Sequence, residues 1–273
     1  VELNDRSLEE MEKVARDAAL EAGELIRSRF GKAFLDVERK SPFDYVTDVD
    51  KESESIVVEA LLNRYPDHSV VAEETRDGAL PGGLAWVVDP LDGTTNFIHG
   101  FPMVAVSIAL CLDGREILAV VLDPLRRELF TARRNGGAFL NDRPARIREE
   151  AALDRALLAT GFPFRHRRLL DPYLDLFREI FSGVSDVRRA GAAALDLAYL
   201  ASGRLDGFWE AGLKPWDVAA GSLLVQEAGG LASDFRGEDG YLRSGHIVAG
   251  SPRVFEYLHR CIRPSDLAAR LDR

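Results

Sequence analysis

The sequence predicts a mixed α/β protein in two parts, an antiparallel α+β half over residues 1–142 and an α/β half over residues 143–273. Three observations carry that expectation. Apolar residues recur at helical spacing near the N-terminus, strand-like runs follow one another through tight turns from Val104 to Leu140, and strands and helices alternate thereafter. At 46% hydrophobic composition over 273 residues, the chain can bury one large core or two fused ones.

Ser7-Leu8-Glu9-Glu10 reads as a capping box opening the first helix, with Leu8, Met11, Val14, Ala15, Ala18, Ala22 and Leu25 on one face. Gly31 marks its stop. A second amphipathic helix is expected from about Asp50 to Arg64, ended by Pro66. Val70–Ala72 and Leu84–Val88 suit buried strands, and each runs into a carboxylate, Glu73 or Asp89.

Val104–Leu112, Ile117–Leu122 and Glu128–Ala132 are strand-like and separated by Asp113-Gly114 and Asp123-Pro124. Connections this short make antiparallel pairs, since a parallel crossover needs about a dozen residues. Ala138–Leu140 adds a short strand after Gly136-Gly137. In the second half, Leu157–Thr160 and Leu205–Glu210 read as strands, and Pro172–Phe181, Ala193–Ala201 and Val218–Ala228 as helices. A closing strand lies near Ile247–Ala249, with a last helix from about Val254.

The formal net charge of −10 disfavours nucleic acid and anionic membranes as partners. Cys111 and Cys261 are far apart and lack CxxC spacing, which fits neither a disulfide framework nor a zinc site and points to a reducing, cytoplasmic setting. The longest apolar run, Val104–Leu112, is too short to span a bilayer, and the polar opening Val1–Asp5 is unlike a signal peptide. Dinucleotide, P-loop, serine-hydrolase and zincin motifs are all missing. The surplus of carboxylates therefore matters most where the acids cluster.

They cluster at Asp89-Pro90-Leu91-Asp92-Gly93-Thr94-Thr95. A strand ending at Asp89 and a turn forced by Pro90 would place two carboxylates, a hydroxyl and the amides of Gly93, Thr94 and Thr95 on one loop. Such a loop can hold hard cations and a phosphate together. Taken alone, it is also an ordinary Asp-rich turn. Glu73-Glu74 adds acids at another strand end, where a solvated loop is the bland alternative. Asp217, after Pro215-Trp216 and before an apolar helix, is on its own a helix N-cap.

Jointly, Asp50, Glu73-Glu74, the Asp89–Thr94 segment, Trp216-Asp217 and Gly229-Gly230 resemble the signature of the inositol monophosphatase family. The resemblance runs from Lys40 to Gly230, through nearly the whole chain. It implies the layered αβαβα sugar-phosphatase fold and a magnesium-dependent, lithium-sensitive phosphatase. Two or three Mg²⁺ per site are implied, with Mn²⁺ a possible substitute; an all-oxygen donor set also selects these ions over zinc.

By position, the resemblance assigns one ion to Glu73, Asp89, the Leu91 carbonyl and the Thr94 hydroxyl. A second falls to Asp89, Asp92 and Asp217, and a third lies near Glu73. Asp50 with Thr47 would orient or deprotonate the attacking water together with Thr94. Asp92 and the Gly93 and Thr94 amides would face the phosphoryl group, while Gly191, Ala192, Ala193, Glu210 and Asp217 would contact a polyol. Ala192 departs from the Ser or Thr of many relatives.

The resemblance further implies a small phosphorylated polyol or sugar as substrate and a homodimer. Its leading function is hydrolysis of myo-inositol 1-phosphate. Rivals are fructose-1,6-bisphosphatase, adenosine 3′,5′-bisphosphate nucleotidase, histidinol-phosphatase, and a regulatory binding protein on the same scaffold. Lys214 and Arg165-His166-Arg167-Arg168 are expected to border the pocket mouth, as a solvated face or a clamp for a second phosphate. Lys40 is expected to help neutralise the metal site or to control its mobile loop, and Arg188-Arg189 could serve an interface salt bridge, which the sequence leaves undecided.

Overall fold

A computed structural model describes residues 4–32, 36–41, 44–75, 80–148 and 152–271; the opening residues 1–3 lie outside them. The chain begins with α1 (Asp5–Arg29), the hairpin β1 (Val37–Ser41) and β2 (Asp44–Thr47), and α2 (Asp48–Arg64). Next come β3 (Ser69–Ala72), β4 (Leu84–Asp92) and the short α3 (Thr94–His99). A meander of β5 (Ala105–Leu112), β6 (Arg115–Asp123), β7 (Glu128–Arg133), β8 (Gly137–Leu140) and β9 (Arg143–Ala145) follows. Strands β3 to β9 lie side by side in chain order in one sheet, antiparallel throughout apart from the parallel β3–β4 pair.

The second half contains β10 (Leu157–Thr160), α4 (Leu170–Phe181), β11 (Asp186–Arg188), α5 (Ala193–Ala201), β12 (Gly207–Ala211) and α6 (Pro215–Glu227). It closes with β13 (Leu231–Ser233), α7 (Tyr241–Ser244), β14 (His246–Gly250), α8 (Pro252–Ile262) and α9 (Asp266–Leu271). Its sheet runs β11-β10-β12-β14-β13, with β10 parallel to both neighbours and β14 antiparallel to both of its own.

Period-two alternation on the first sheet explains the layering. On β6, Leu118, Val120 and Leu122 face the core beneath α1 and α2, whereas Ala119 and Val121 face α5 and α6. Both helices of that central layer lie between sheets, so α6 is buried continuously from Trp216 to Val225. A helix apolar all round can be stable only in such a place. The two helices approach closely where a Cβ on Gly221 would stand 2.5 Å from that of Leu197. The outer layer, α4 with α8, covers the far face of the second sheet through Tyr173, Leu176, Val254 and Leu258. The result is the layered αβαβα arrangement.

Several expectations shift. Asn4, rather than Ser7, caps α1: its Oδ1 accepts the Ser7 amide at 2.9 Å, and Ser7 Oγ accepts the Asn4 amide at 3.0 Å. The β4 strand does not end at Asp89 but resumes after an irregularity, pairing Asp92 with Ala105. Pro90, which lacks an N–H for the ladder, sits inside that irregularity. The first sheet also runs to Ala145, beyond the expected division at 142/143. The β1–β2 hairpin was not anticipated, because Val-Glu-Arg-Lys-Ser is exposed along its length and has no apolar alternation to reveal it.

Candidate active site

The acids of the Asp89–Thr94 segment meet acids from both halves around one pocket of about 260 Å³. Glu73, Asp89, Leu91, Asp92, Gly93, Thr94, Gly191, Ala193, Glu210 and Asp217 all line it. Local folding explains how they arrive there. The irregularity in β4 bends the strand end inward, with the Leu91 amide donating to Asp89 Oδ1 at 3.0 Å and Ser53 of α2 bracing the Pro90 carbonyl at 2.7 Å. Gly93 adopts φ +89°, and a Cβ there would stand 2.7 Å from the Met103 carbonyl. This turn starts α3 and brings Thr94 back over Leu91, with its Oγ1 3.2 Å from the Leu91 carbonyl.

Thr47 and Asp50 form the capping box of α2 and are buried. Both the amide and the hydroxyl of Thr47 donate to Asp50 Oδ2, while Thr94 Oγ1 donates to Asp50 Oδ1 at 2.7 Å. Thus Thr47 and Asp50 stand behind the pocket and reach it through Thr94. Asp50 is both a structural cap and an acceptor for a pocket hydroxyl. Burial raises its pKa, against the hydrogen bonds from Thr47 and Thr94.

Asp217 lies in the first turn of α6 rather than at its N-cap, because the helix starts at Pro215. Its Oδ2 accepts the Lys214 amide at 2.7 Å. Glu210, at the buried end of β12, lies against Gly161, where a Cβ would be 2.0 Å from Glu210 Oε1. Glycine is the residue that leaves room for that carboxylate.

The electrostatics are those of crowded anions. Burial pushes Asp89 well above the usual carboxylate range, and the charges of Glu73, Asp92 and Asp217 push it further. Asp92 is raised by burial and by Asp217, although the Ala194 amide, donating at 2.8 Å, opposes the shift. Glu210 is raised by burial and Asp217, with Arg189 opposing. Lys40 Nζ contacts Glu73 Oε1 at 3.0 Å and also Glu74. Burial works against its charge, but the two carboxylates more than compensate and hold the ammonium above its ordinary pKa. Glu74 is pushed up to about 7 by burial.

Among the described residues, no three acid, His or Cys side chains are already grouped as a metal cage. The donors share a pocket, and like charge opposes their closer approach. Carboxylates, a carbonyl and a hydroxyl are the donors hard divalent cations take, and a cation would relieve the repulsion that raises Asp89 and Asp92. The residues present therefore fit Mg²⁺ or Mn²⁺.

A match to the inositol monophosphatase family spans residues 7–265. The chain belongs to that family. It is 51% identical over 263 residues to the Nus factor SuhB of Pseudomonas aeruginosa, covering 94% of this chain and 97% of that one. The structure of the extragenic suppressor protein suhB from Bartonella henselae matches with a TM-score of 0.87 at 41% identity, over 92% of this chain and 97% of that one. An inositol monophosphatase from Anabaena (Nostoc) sp. PCC 7120 matches with a TM-score of 0.84 at 34% identity, over 97% and 99% of the two chains.

Two placements in the structure differ from the sequence expectations. Ala192 is 1% exposed and packs in the core between the sheets, while Gly191 and Ala193 line the pocket. Of the basic cluster, Arg165 lines the pocket, whereas Lys214 and His166 line a separate groove beyond Gly212 and Leu213. Arg188 pairs with Asp186 at 2.6 Å, and Arg189 turns into the pocket wall.

Two residues to which the sequence assigned no role also belong here: Asn96, which lines the pocket, and Asp196, whose charge acts on Asp92. Asp196 is buried in α5, where burial raises its pKa to about 8 and Arg189 opposes the shift. Its signal was a lone acid in the otherwise apolar run Ala193–Ala201.

Proposed function

We propose that this chain is a Mg²⁺-dependent phosphatase of small phosphate monoesters, with myo-inositol 1-phosphate as its leading substrate. The observation that carries the reading is the convergence of Glu73, Asp89, Asp92 and Asp217 with Thr94 on one pocket. Those acids, the Leu91 carbonyl and the Thr94 hydroxyl would hold the cations. Bound there, the cations supply charge to stabilise the phosphoryl oxygens and the departing oxygen.

The chain's own residues do the rest. Asp50 accepts the hydrogen bond of the Thr94 hydroxyl, which leaves the Thr94 oxygen free to accept a hydrogen bond from water and orient it. The water oxygen attacks phosphorus in line while its proton passes to Thr94 and the Thr94 proton to Asp50; the ester P–O bond breaks, and the departing oxygen takes up a proton from solvent to leave as the alcohol. Gly93, with no side chain, lets the backbone approach the phosphoryl oxygens. Glu210 accepts hydrogen bonds from hydroxyls of the departing alcohol, in a wall shared with Arg189.

The test is phosphate release from a panel of inositol, fructose and nucleotide phosphates, with Mg²⁺, without it, and with lithium added. Mg²⁺-dependent release from inositol phosphate, inhibited by lithium, is expected. No release from any ester would overturn the reading.

The name Nus factor SuhB, borne by a relative 51% identical to this chain, supports a second reading. It is the regulatory one, in which the phosphatase scaffold serves as a binding protein. Under that reading, substitutions that abolish turnover leave the cellular role intact.

A further inference from the structure

The pocket is built from two halves of the chain, and something must hold them in register. Asn96 of α3 lies at that seam. Its side-chain Nδ2 stands 2.8 Å from the Met103 carbonyl, 2.9 Å from the Ala190 carbonyl and 3.2 Å from the Gly191 carbonyl. All three neighbours are acceptors, so the NH₂ group faces them and the amide orientation is fixed.

The surroundings leave little slack. A Cβ on Gly93 would stand 3.4 Å from the Gly191 carbonyl and one on Gly191 3.3 Å from Asn96 Nδ2, so the two backbones meet at the Asn96 amide. Gly191 itself has φ +87°, and a Cβ there would stand 2.4 Å from Arg189 Nη1. The Asn96 main chain is also fixed, its carbonyl accepting the Phe101 amide at 2.8 Å. A short rigid helix thus carries a two-hydrogen donor onto the loop that forms the opposite pocket wall.

We propose that Asn96 is a positioning residue that clamps the 190–193 loop to the acid-bearing loop. It thereby sets affinity for the departing-alcohol side of the substrate. This rests on the phosphatase reading for its kinetic consequence and on geometry alone for the clamp.

The test compares wild type with Asn96→Asp and Asn96→Ala. Asn96→Asp keeps the shape, removes both N–H donors, and sets an acceptor against three carbonyls. Hydrogen exchange at the 191–195 amides should quicken by about tenfold or more in both variants, since local opening no longer breaks those bonds. With Mg²⁺, the KM for myo-inositol 1-phosphate should rise about tenfold, and that for p-nitrophenyl phosphate, which has no polyol hydroxyls, less than about threefold.

Unchanged exchange in both variants overturns the clamp, and equal KM changes for the two esters overturn its role in specificity. If Asn96→Asp does not fold, Asn96→Ala, which leaves the carbonyls to pocket water, carries the same comparison. Absence of phosphate release by wild type would sink the phosphatase reading and with it the kinetic consequence, while the exchange data would still decide the clamp.

Discussion

The carboxylate of Asp92 accepts the backbone amide of Ala194 at 2.8 Å. Ala192, at the N-cap of α5, has no side-chain acceptor of its own, so an acid from the other half of the chain caps that helix. One residue thus serves the pocket's charge and the start of the helix behind the pocket wall.

The cap can be separated from the charge. Asp92→Asn and Asp92→Ala both remove the negative charge, but the asparagine retains an acceptor oxygen. In metal-free protein, urea unfolding should find the alanine variant less stable than the asparagine variant by about 1 kcal/mol. Equal stabilities would show that Ala194 gains nothing from Asp92.

Asp89 should show opposed effects on activity and stability. Asp89→Asn keeps an acceptor for the Leu91 amide and removes one of four mutually repelling charges. Turnover should fall at least about a hundredfold. In the absence of divalent cations, its melting temperature should exceed that of wild type. Adding Mg²⁺ should stabilise wild type progressively, by about 2.7 kcal/mol at a hundred times its Kd, and the variant much less. Near-normal turnover in Asp89→Asn would exclude the proposed ligand set.

Gly161→Ala tests the substrate wall from behind. The added methyl would stand 2.0 Å from Glu210 Oε1, and the carboxylate is buried, so it must swing aside. The KM for a polyol phosphate should rise about tenfold, with a smaller change in kcat. A crystal structure showing Glu210 unmoved would defeat this explanation.

The histidines give a pH dependence of defined sign. Burial and the neighbouring Arg263 hold His259 below its ordinary pKa of 6.5, and burial does the same to His68. The folded protein therefore binds these protons less tightly than the unfolded chain does. Their contribution to stability is complete above about pH 6.5 and declines as the pH falls below that value. Glu74 and Asp196, raised to about 7 and about 8, act with the opposite sign over the same range, so the histidine part is read as the difference between wild type and His259→Gln in chemical denaturation from roughly pH 5 to pH 8, where the wild-type advantage should shrink as the pH falls. A pH profile unaltered by His259→Gln would contradict the assignment.

What was legible in the sequence had local causes. The hairpins from Ala105 to Leu140 followed from alternation and turn residues, and α5 was found at its observed limits of Ala193 and Ala201. The acid motif was legible because Asp89, Asp92 and Thr94 lie within one short segment. The groups facing it across the pocket were harder. Arg189 and Asp196 acquire meaning only when α5 docks behind the site, and Gly161 only when Glu210 folds against it. That Ala192 packs inward while Gly191 and Ala193 line the pocket was not legible, because position along a loop does not say which way a side chain turns.

The shared central layer has a consequence for synthesis. Val87, Ala109 and Val121 belong to the same core as Leu197, Leu223 and Val225, which leave the ribosome much later. A nascent chain that has reached Ala145 holds Glu73, Asp89 and Asp92, yet its first sheet has one face uncovered and neither Asp217 nor Glu210 exists to close the pocket. Closing contacts over such separations is slow and loses entropy before it returns energy. The pocket is therefore among the last things the chain completes, and an unfinished copy exposes one apolar face of its first sheet before the pocket's acids have met.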